Sequence, residues 1–298
     1  MQENKVKKFS LKKVIALALT GVFVAFLLIV SLSYFLGYEV HSNVSYGDTE
    51  SNVMDIYIPK KAYERKTNGC VVFIHGGSWT GGDKSEETAR CRLLASKGYI
   101  TASINYSLHG EQTANEYTVF KVLNEIDLAL LKIKSFTQER GITVDKVATS
   151  GYSAGAHLSM LYAFSRGENT PIKVVFTANM AGPADFSADI WGEEKTKIII
   201  NRLTGETVND VSVANDLISQ ISPTTYINGS TPPTIIMHGE KDDVVPIKNA
   251  LSVVEKLESN SVPYDYIPLA NSNHSLIQNP FKHITYYKTL LNYCEKYF

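Results

Sequence analysis

Lys146-Val147-Ala148-Thr149-Ser150-Gly151-Tyr152-Ser153-Ala154-Gly155 is the stretch on which the reading of this chain turns. It opens as a short strand-like run and ends in Gly-x-Ser-x-Gly. Helical spacing follows, with Ala156, Leu158, Met160, Leu161, Ala163 and Phe164. Strand, Gly-x-Ser-x-Gly and helix together set a serine on a sharp, strained turn with its hydroxyl projecting from a sheet edge. The serine backbone must sit in an unfavourable region, and small residues two before and two after let neighbouring backbone pass close by. The helix that follows aims the N–H of Ala154 at charge developing beside the serine, reinforced by its positive N-terminus. The string alone is common, so its weight comes from what surrounds it.

Upstream, Cys70-Val71-Val72-Phe73-Ile74 is an unbroken β-branched and aromatic run, the mark of a strand buried on both faces of a parallel sheet. It leads into His75-Gly76-Gly77-Ser78-Trp79, where two adjacent glycines let backbone N–H groups approach a ligand. A phosphate loop is excluded: Gly77 and Gly82 have the spacing, but Asp83 stands where a lysine must follow. Helix and strand patterns then alternate, with a helix over 85–96, a strand over 99–106, a helix over 117–136 and a strand over 172–178. That alternation predicts an α/β fold, a mainly parallel sheet with helices on both faces. Before it, 38–60 reads as extended, with an early or edge strand at Val53–Ile58 that stops at Pro59. Residues 185–221 break the rhythm and predict a small helical cap. The rhythm resumes with a strand over 234–237, a helix over 247–258, a strand over 264–268 and a closing helix over 280–297.

The amino terminus is of another kind. Lys5, Lys7, Lys8, Lys12 and Lys13 stand against one acid, Glu3, and no residue from Val14 to Leu36 is charged. About 20 apolar residues span a bilayer core, and preceding lysines stay cytoplasmic. The expected organisation is a cytoplasmic basic segment at 1–13, a transmembrane signal-anchor at 14–36 and a catalytic domain at 38–298 held outside the cytoplasm. A cleaved signal peptide, giving a secreted protein, is the alternative. Over the whole chain the composition is ordinary: 44% hydrophobic, 20% charged and a formal net charge of −1. There is no basic footprint for nucleic acid. Cys70, Cys91 and Cys294 are too widely spaced for a disulfide framework or a zinc site and read as buried structural thiols. No metal and no cofactor is implied, and oligomeric state is not legible.

A serine hydroxyl needs an adjacent base, and the base needs an orienting acid. In open parallel sheets such groups gather at the carboxyl ends of strands. Three loops after sheet strands supply Ser153, Asp242 and His274. Among the other histidines, His109 is the main competitor, because its loop also follows a strand, although it precedes the serine. His75 reads as structural and His157 as pointing into packing. Asp243 and Glu240 compete with Asp242, which is favoured by its position between His238-Gly239 and Val245-Pro246.

With these pieces assembled, residues from about 46 to 298 resemble the α/β-hydrolase superfamily, in particular its feruloyl-esterase-like and hormone-sensitive-lipase-like carboxylesterases. The matching strings are Asp55-Ile56-Tyr57-Ile58-Pro59, His75-Gly76-Gly77-Ser78-Trp79, Gly151-Tyr152-Ser153-Ala154-Gly155, Ser222-Pro223, His238-Gly239-x-x-Asp242-x-x-Val245-Pro246 and the loop at His274. The resemblance implies Ser153 as nucleophile, His274 as base and Asp242 as its orienter, with Gly76, Gly77 and Ala154 as backbone oxyanion donors. It implies hydrolysis of a small-molecule ester of a short acyl group through an acyl-enzyme. Two positions depart from the pattern: Ser78 replaces a third glycine, which favours the feruloyl-esterase-like branch, and Asn273 stands where a glycine often precedes the histidine. Two other readings stay open, amide hydrolysis by a peptidase or an aryl-formamidase-like enzyme, and a catalytically silent, membrane-tethered binding module.

Overall fold

The computed structural model describes residues 19–25, 27–28, 37–110 and 117–298. Eight strands form one sheet: β1 (Tyr38–Ser45), β2 (Val53–Pro59), β3 (Asn68–Ile74), β4 (Ile100–Ile104), β5 (Val144–Tyr152), β6 (Lys173–Met180), β7 (Thr234–Gly239) and β8 (Tyr264–Leu269). Their order across the sheet is β1-β2-β4-β3-β5-β6-β7-β8. From β4 to β8 every pairing is parallel, while β1 and β2 form an antiparallel margin. The extended stretch expected over 38–60 is thus two strands, with Tyr38 opposite Pro59 and Val44 opposite Met54.

Among the described residues from Gly37 onward, eight α-helices pack against the sheet or extend from it: α1 (Thr88–Ser96), α2 (Val119–Gln138), α3 (Ala154–Arg166), α4 (Ala188–Trp191), α5 (Glu193–Thr204), α6 (Asn215–Ile221), α7 (Lys248–Ser259) and α8 (Pro280–Tyr297). Buried on both faces, β3 sends alternate side chains to opposite cores. Cys70, Val72 and Ile74 join the core under α2, α3 and α7, and Val71 and Phe73 join the core under α1 and α8. Helix α2 shows why such segments become helices. Val119, Val122, Leu123, Ile126, Ala129, Leu130 and Ile133 make one buried stripe, and the Thr118 hydroxyl accepts from Lys121 N–H to cap the first turn. Each large aliphatic side chain in that stripe contributes about 1.5–3 kcal/mol by leaving water.

Two sequence expectations need correction or delimitation. The helix expected from residue 85 begins as a tighter 3-10 turn, Lys84–Glu87, before α1 takes over at Thr88. Asp83 accepts from Ser85 N–H and Glu86 accepts from Asp83 N–H, a reciprocal cap that fixes the start. The membrane span expected over 14–36 lies mainly outside the described residues. Its described parts, 19–25 and 27–28, are helical. Among the described residues, no helix is long and apolar enough to cross a membrane. All three cysteines are buried and free.

Candidate active site

Three carboxyl ends of parallel strands converge. At the end of β5, Ser153 has φ 53° and ψ −121°, a conformation that costs a side-chain-bearing residue of order 1–3 kcal/mol. The glycines around it are there for close approach. A Cβ on Gly155 would lie 1.9 Å from the Ile74 carbonyl oxygen, and one on Gly151 would lie 2.3 Å from the Gly155 carbonyl carbon. The crossing of β5 into α3 therefore passes directly over the end of β3.

The Ser153 hydroxyl is 2.9 Å from His274 Nε2, and His274 Nδ1 is 2.8 Å from Asp242 Oδ2. The other carboxylate oxygen of Asp242 accepts from Val244 N–H at 3.0 Å and Val245 N–H at 2.8 Å. His238 Nε2 lies 3.3 Å from Asp242 Oδ2 and 3.0 Å from the Val245 carbonyl oxygen. Burial alone would raise the Asp242 carboxyl, but hydrogen bonds from His238, His274 and Val245 N–H outweigh it and hold the group well below the usual carboxylate range. Asp242 is therefore ionised and can only accept. That places the proton of His274 on Nδ1 and leaves Nε2 free to accept from the serine.

Tyr152 supports the histidine loop. Its hydroxyl donates to the His274 carbonyl oxygen at 2.8 Å, and the two rings lie 5.3 Å apart. Burial first, and then the charge of Asp242, push the phenol up to about 12, so it remains a donor. The rivals fall elsewhere. His109 packs edge-on against Tyr117. Buried His75 has its Nδ1 2.8 Å from the Gly76 carbonyl oxygen and stacks on Tyr106. Glu240 and Asp243 are exposed.

The glycine loop lies beside the serine. Gly77, Ser78 and Trp79 take three consecutive positive φ values, 103°, 54° and 61°. A Cβ on Gly76 would lie 3.4 Å from Ser153 Cβ, so the backbone of Gly76 abuts the serine. Ala154, the first residue of α3, is buried next to it. Trp79 fixes the far end of the loop: its indole Nε1–H donates to His157 Nδ1, and His157 Nε2–H donates to the Ile221 carbonyl oxygen at 2.8 Å.

The segment 185–221 closes one side of the site. Asn249 Oδ1 accepts from Ala184 and Asp185 N–H, and Ser222 Oγ accepts from Phe186 N–H, which pins both ends. Phe186 meets Trp79 and His157 edge-on and stacks on Trp191. Between this segment and the serine is a cavity of about 270 Å³, walled by Trp79, Pro183, Trp191, Ile198, Ile199 and Val245. Among the described residues, no group of three or more His, Cys, Asp or Glu side chains could hold a metal ion.

The sequence reading missed His238, Tyr152 and the Trp79–His157–Ile221 tie. The first two sit inside the motifs already quoted. The tie joins residues 78 and 64 positions apart and has no local signal.

Similarity searches agree with this architecture. The probable carboxylic ester hydrolase LipM of Mycobacterium tuberculosis is 27% identical over 256 residues, 82% of this chain and 58% of that protein. Esterase LipC of the same organism is 25% identical over 255 residues, 80% of this chain and 60% of that one. The chain thus spans about three fifths of the length of these curated relatives. A truncated carbohydrate esterase from gut microbiota superposes with a TM-score of 0.71 at 20% identity, covering 87% of this chain and 97% of its own. Esterase B of Lactobacillus rhamnosis (strain HN001) gives 0.69 at 19% identity, covering 92% and 93%. At such identities the structures show a common fold, the α/β-hydrolase fold, and nothing finer. A family model called BD-FAE matches residues 54–257, from the second strand through the helix that follows the Asp242 loop, and on that match the chain belongs to the BD-FAE family.

Proposed function

We propose that this chain is a serine hydrolase that cleaves carboxylic esters of short acyl groups. The observation that carries the reading is the unbroken hydrogen-bonded line from Ser153 through His274 to an ionised Asp242. In the proposed reaction His274 Nε2 takes the proton of Ser153 as Oγ attacks the ester carbonyl carbon. The tetrahedral oxyanion rests on the N–H groups of Gly76, Gly77 and Ala154. His274 then returns the proton to the departing alkoxide as the ester bond breaks and the acyl-enzyme forms. Water, deprotonated by the same nitrogen, attacks the acyl carbon and releases the acid and the serine. Asp242 stays ionised throughout and stabilises the imidazolium. The small, largely apolar cavity beside Ser153 supports a short acyl group.

The uncharged stretch 14–36 behind a block of lysines supports a membrane-tethered enzyme with its catalytic domain outside the cytoplasm. The test is hydrolysis of 4-nitrophenyl esters from acetate to octanoate by the purified full chain, with Ser153→Ala alongside. Turnover that declines with acyl length and vanishes in the variant is the expected result. Turnover of aminoacyl anilides in place of esters would move the reading to amide hydrolysis. A folded protein inert toward both sinks it.

A further inference from the structure

Helix α5 turns one face to the cavity that holds Ser153. Lys195, Ile198, Ile199 and Arg202 line it, and steps of three, four and seven residues place them together. The two isoleucines continue the apolar wall, and a cation stands at each end. Lys195 Nζ donates to the Val244 carbonyl oxygen at 3.1 Å, on the Asp242 loop, and lies 4.7 Å from the centre of the Trp191 ring. Arg202 Nη1 is 3.5 Å from the Ser78 carbonyl oxygen, on the glycine loop.

An ammonium carries three donors and a guanidinium five, so most of the donors on both groups remain for a ligand. Among the described residues neither cation pairs with a carboxylate, and no residue lining the cavity is acidic. The same helix treats its other lysine differently: Lys197 pairs with Glu194 at 2.9 Å. The cations turned toward the serine are the ones left without counter-charge.

We propose that this cavity selects esters that also carry a carboxylate, separated from the reacting carbonyl by a short apolar spacer, with Lys195 and Arg202 as the specificity-determining residues. The spacer lies on Ile198, Ile199 and Trp191 while the carboxylate takes the donors at the rim. The inference rests on the esterase reading above, and its test separates the two.

The probes are 4-nitrophenyl monoesters of adipic and suberic acid and the same compounds with the free carboxyl capped as a methyl ester. For the wild-type full chain, kcat/KM for the anionic probe should exceed that for its capped partner about tenfold, equivalent to about 1.4 kcal/mol. The ratio should shrink as salt is raised, since both cations are partly exposed. Lys195→Met/Arg202→Met should lower the ratio at least about fivefold, mainly through KM, and Lys195→Arg/Arg202→Lys should retain it. A wild-type ratio at or below one, or a ratio untouched in the double methionine variant, overturns the inference while leaving the esterase reading intact. If neither the anionic nor the neutral esters are turned over, the esterase reading fails, and calorimetric binding of adipate to the wild type and to the methionine variant then decides whether the cavity takes a carboxylate. Tighter binding by the wild type sustains the carboxylate site, and equal or absent binding ends it.

Discussion

Trp79 and His157 share a hydrogen bond of 3.1 Å that fixes how the histidine is protonated. Because the indole N–H can only donate, Nδ1 of His157 must be bare. Nε2 then carries the hydrogen and donates to Ile221. A second proton would have to enter on Nδ1, facing the indole N–H. One neutral imidazole thereby joins the glycine loop, the helix behind Ser153 and the end of α6.

The acid stability of the protein should carry the signature of this group. Burial lowers the His157 pKa from 6.5 to about 4. Between those values the unfolded chain binds a proton that the folded one refuses, so stability falls as pH falls. The loss begins near 6.5, is complete near 4, and amounts to about 3 kcal/mol. Urea unfolding at several pH values should show that part of the slope in the wild type and not in His157→Gln. Equal slopes in the two proteins refute the assignment.

Ser153 should be required for turnover and costly for the fold. Ser153→Ala should eliminate measurable hydrolysis while keeping the circular dichroism spectrum. Ser153→Gly should be equally inactive but about 1 kcal/mol more stable than the alanine variant, because glycine accepts φ 53° and ψ −121° with little strain. Thermal denaturation of the two variants side by side is the measurement, and an alanine variant at least as stable removes the claim of strain.

Asp242→Asn should lower kcat by about 10³–10⁴ with little change in KM. An asparagine amide can donate to His274 Nδ1, which favours the tautomer with the hydrogen on Nε2, the wrong nitrogen for accepting from Ser153. Asp243→Asn, an exposed neighbour, serves as the control. Similar losses in both variants would count against Asp242 as the orienter.

Gly155→Ala should cost at least about 3 kcal/mol or prevent folding, since its methyl would meet the Ile74 carbonyl oxygen, and backbone cannot yield there as a flexible side chain can. At Gly81, where an added methyl meets nothing within 4 Å, alanine should be tolerated. Soluble yield and melting temperature of the two variants decide the point.

What the sequence made legible was periodic or local. The run Cys70–Ile74 reads as a doubly buried strand because both faces of β3 are covered, and the α2 stripe reads as a helix because only one face is. The order of the loops nominated Ser153 and His274, and the position of Asp242 between His238-Gly239 and Val245-Pro246 favoured it over Glu240 and Asp243; the fold brings the three within hydrogen-bonding distance. Contacts with no period escaped. Nothing around Ile221 announces that its carbonyl receives His157, and nothing in Lys195 or Arg202 separates them from ordinary surface cations until α5 is laid over the cavity. The start at Lys84 slipped because a 3-10 turn and an α-helix share the same capping residues.

The antiparallel margin has a bearing on orientation. Since β1 runs parallel to the strands beyond β2, its first residue, Tyr38 opposite Pro59, lies level with the amino ends of those strands, while Ser153 follows the carboxyl end of β5. The nine residues of β5 alone, at about 3.3 Å each, separate the two ends by about 30 Å. If the uncharged stretch 14–36 is a membrane tether, as proposed above, it would attach at the base of the sheet, at the end opposite Ser153. Under that proposal Ser153 would face away from the anchoring surface, and substrate would reach it from the solvent side.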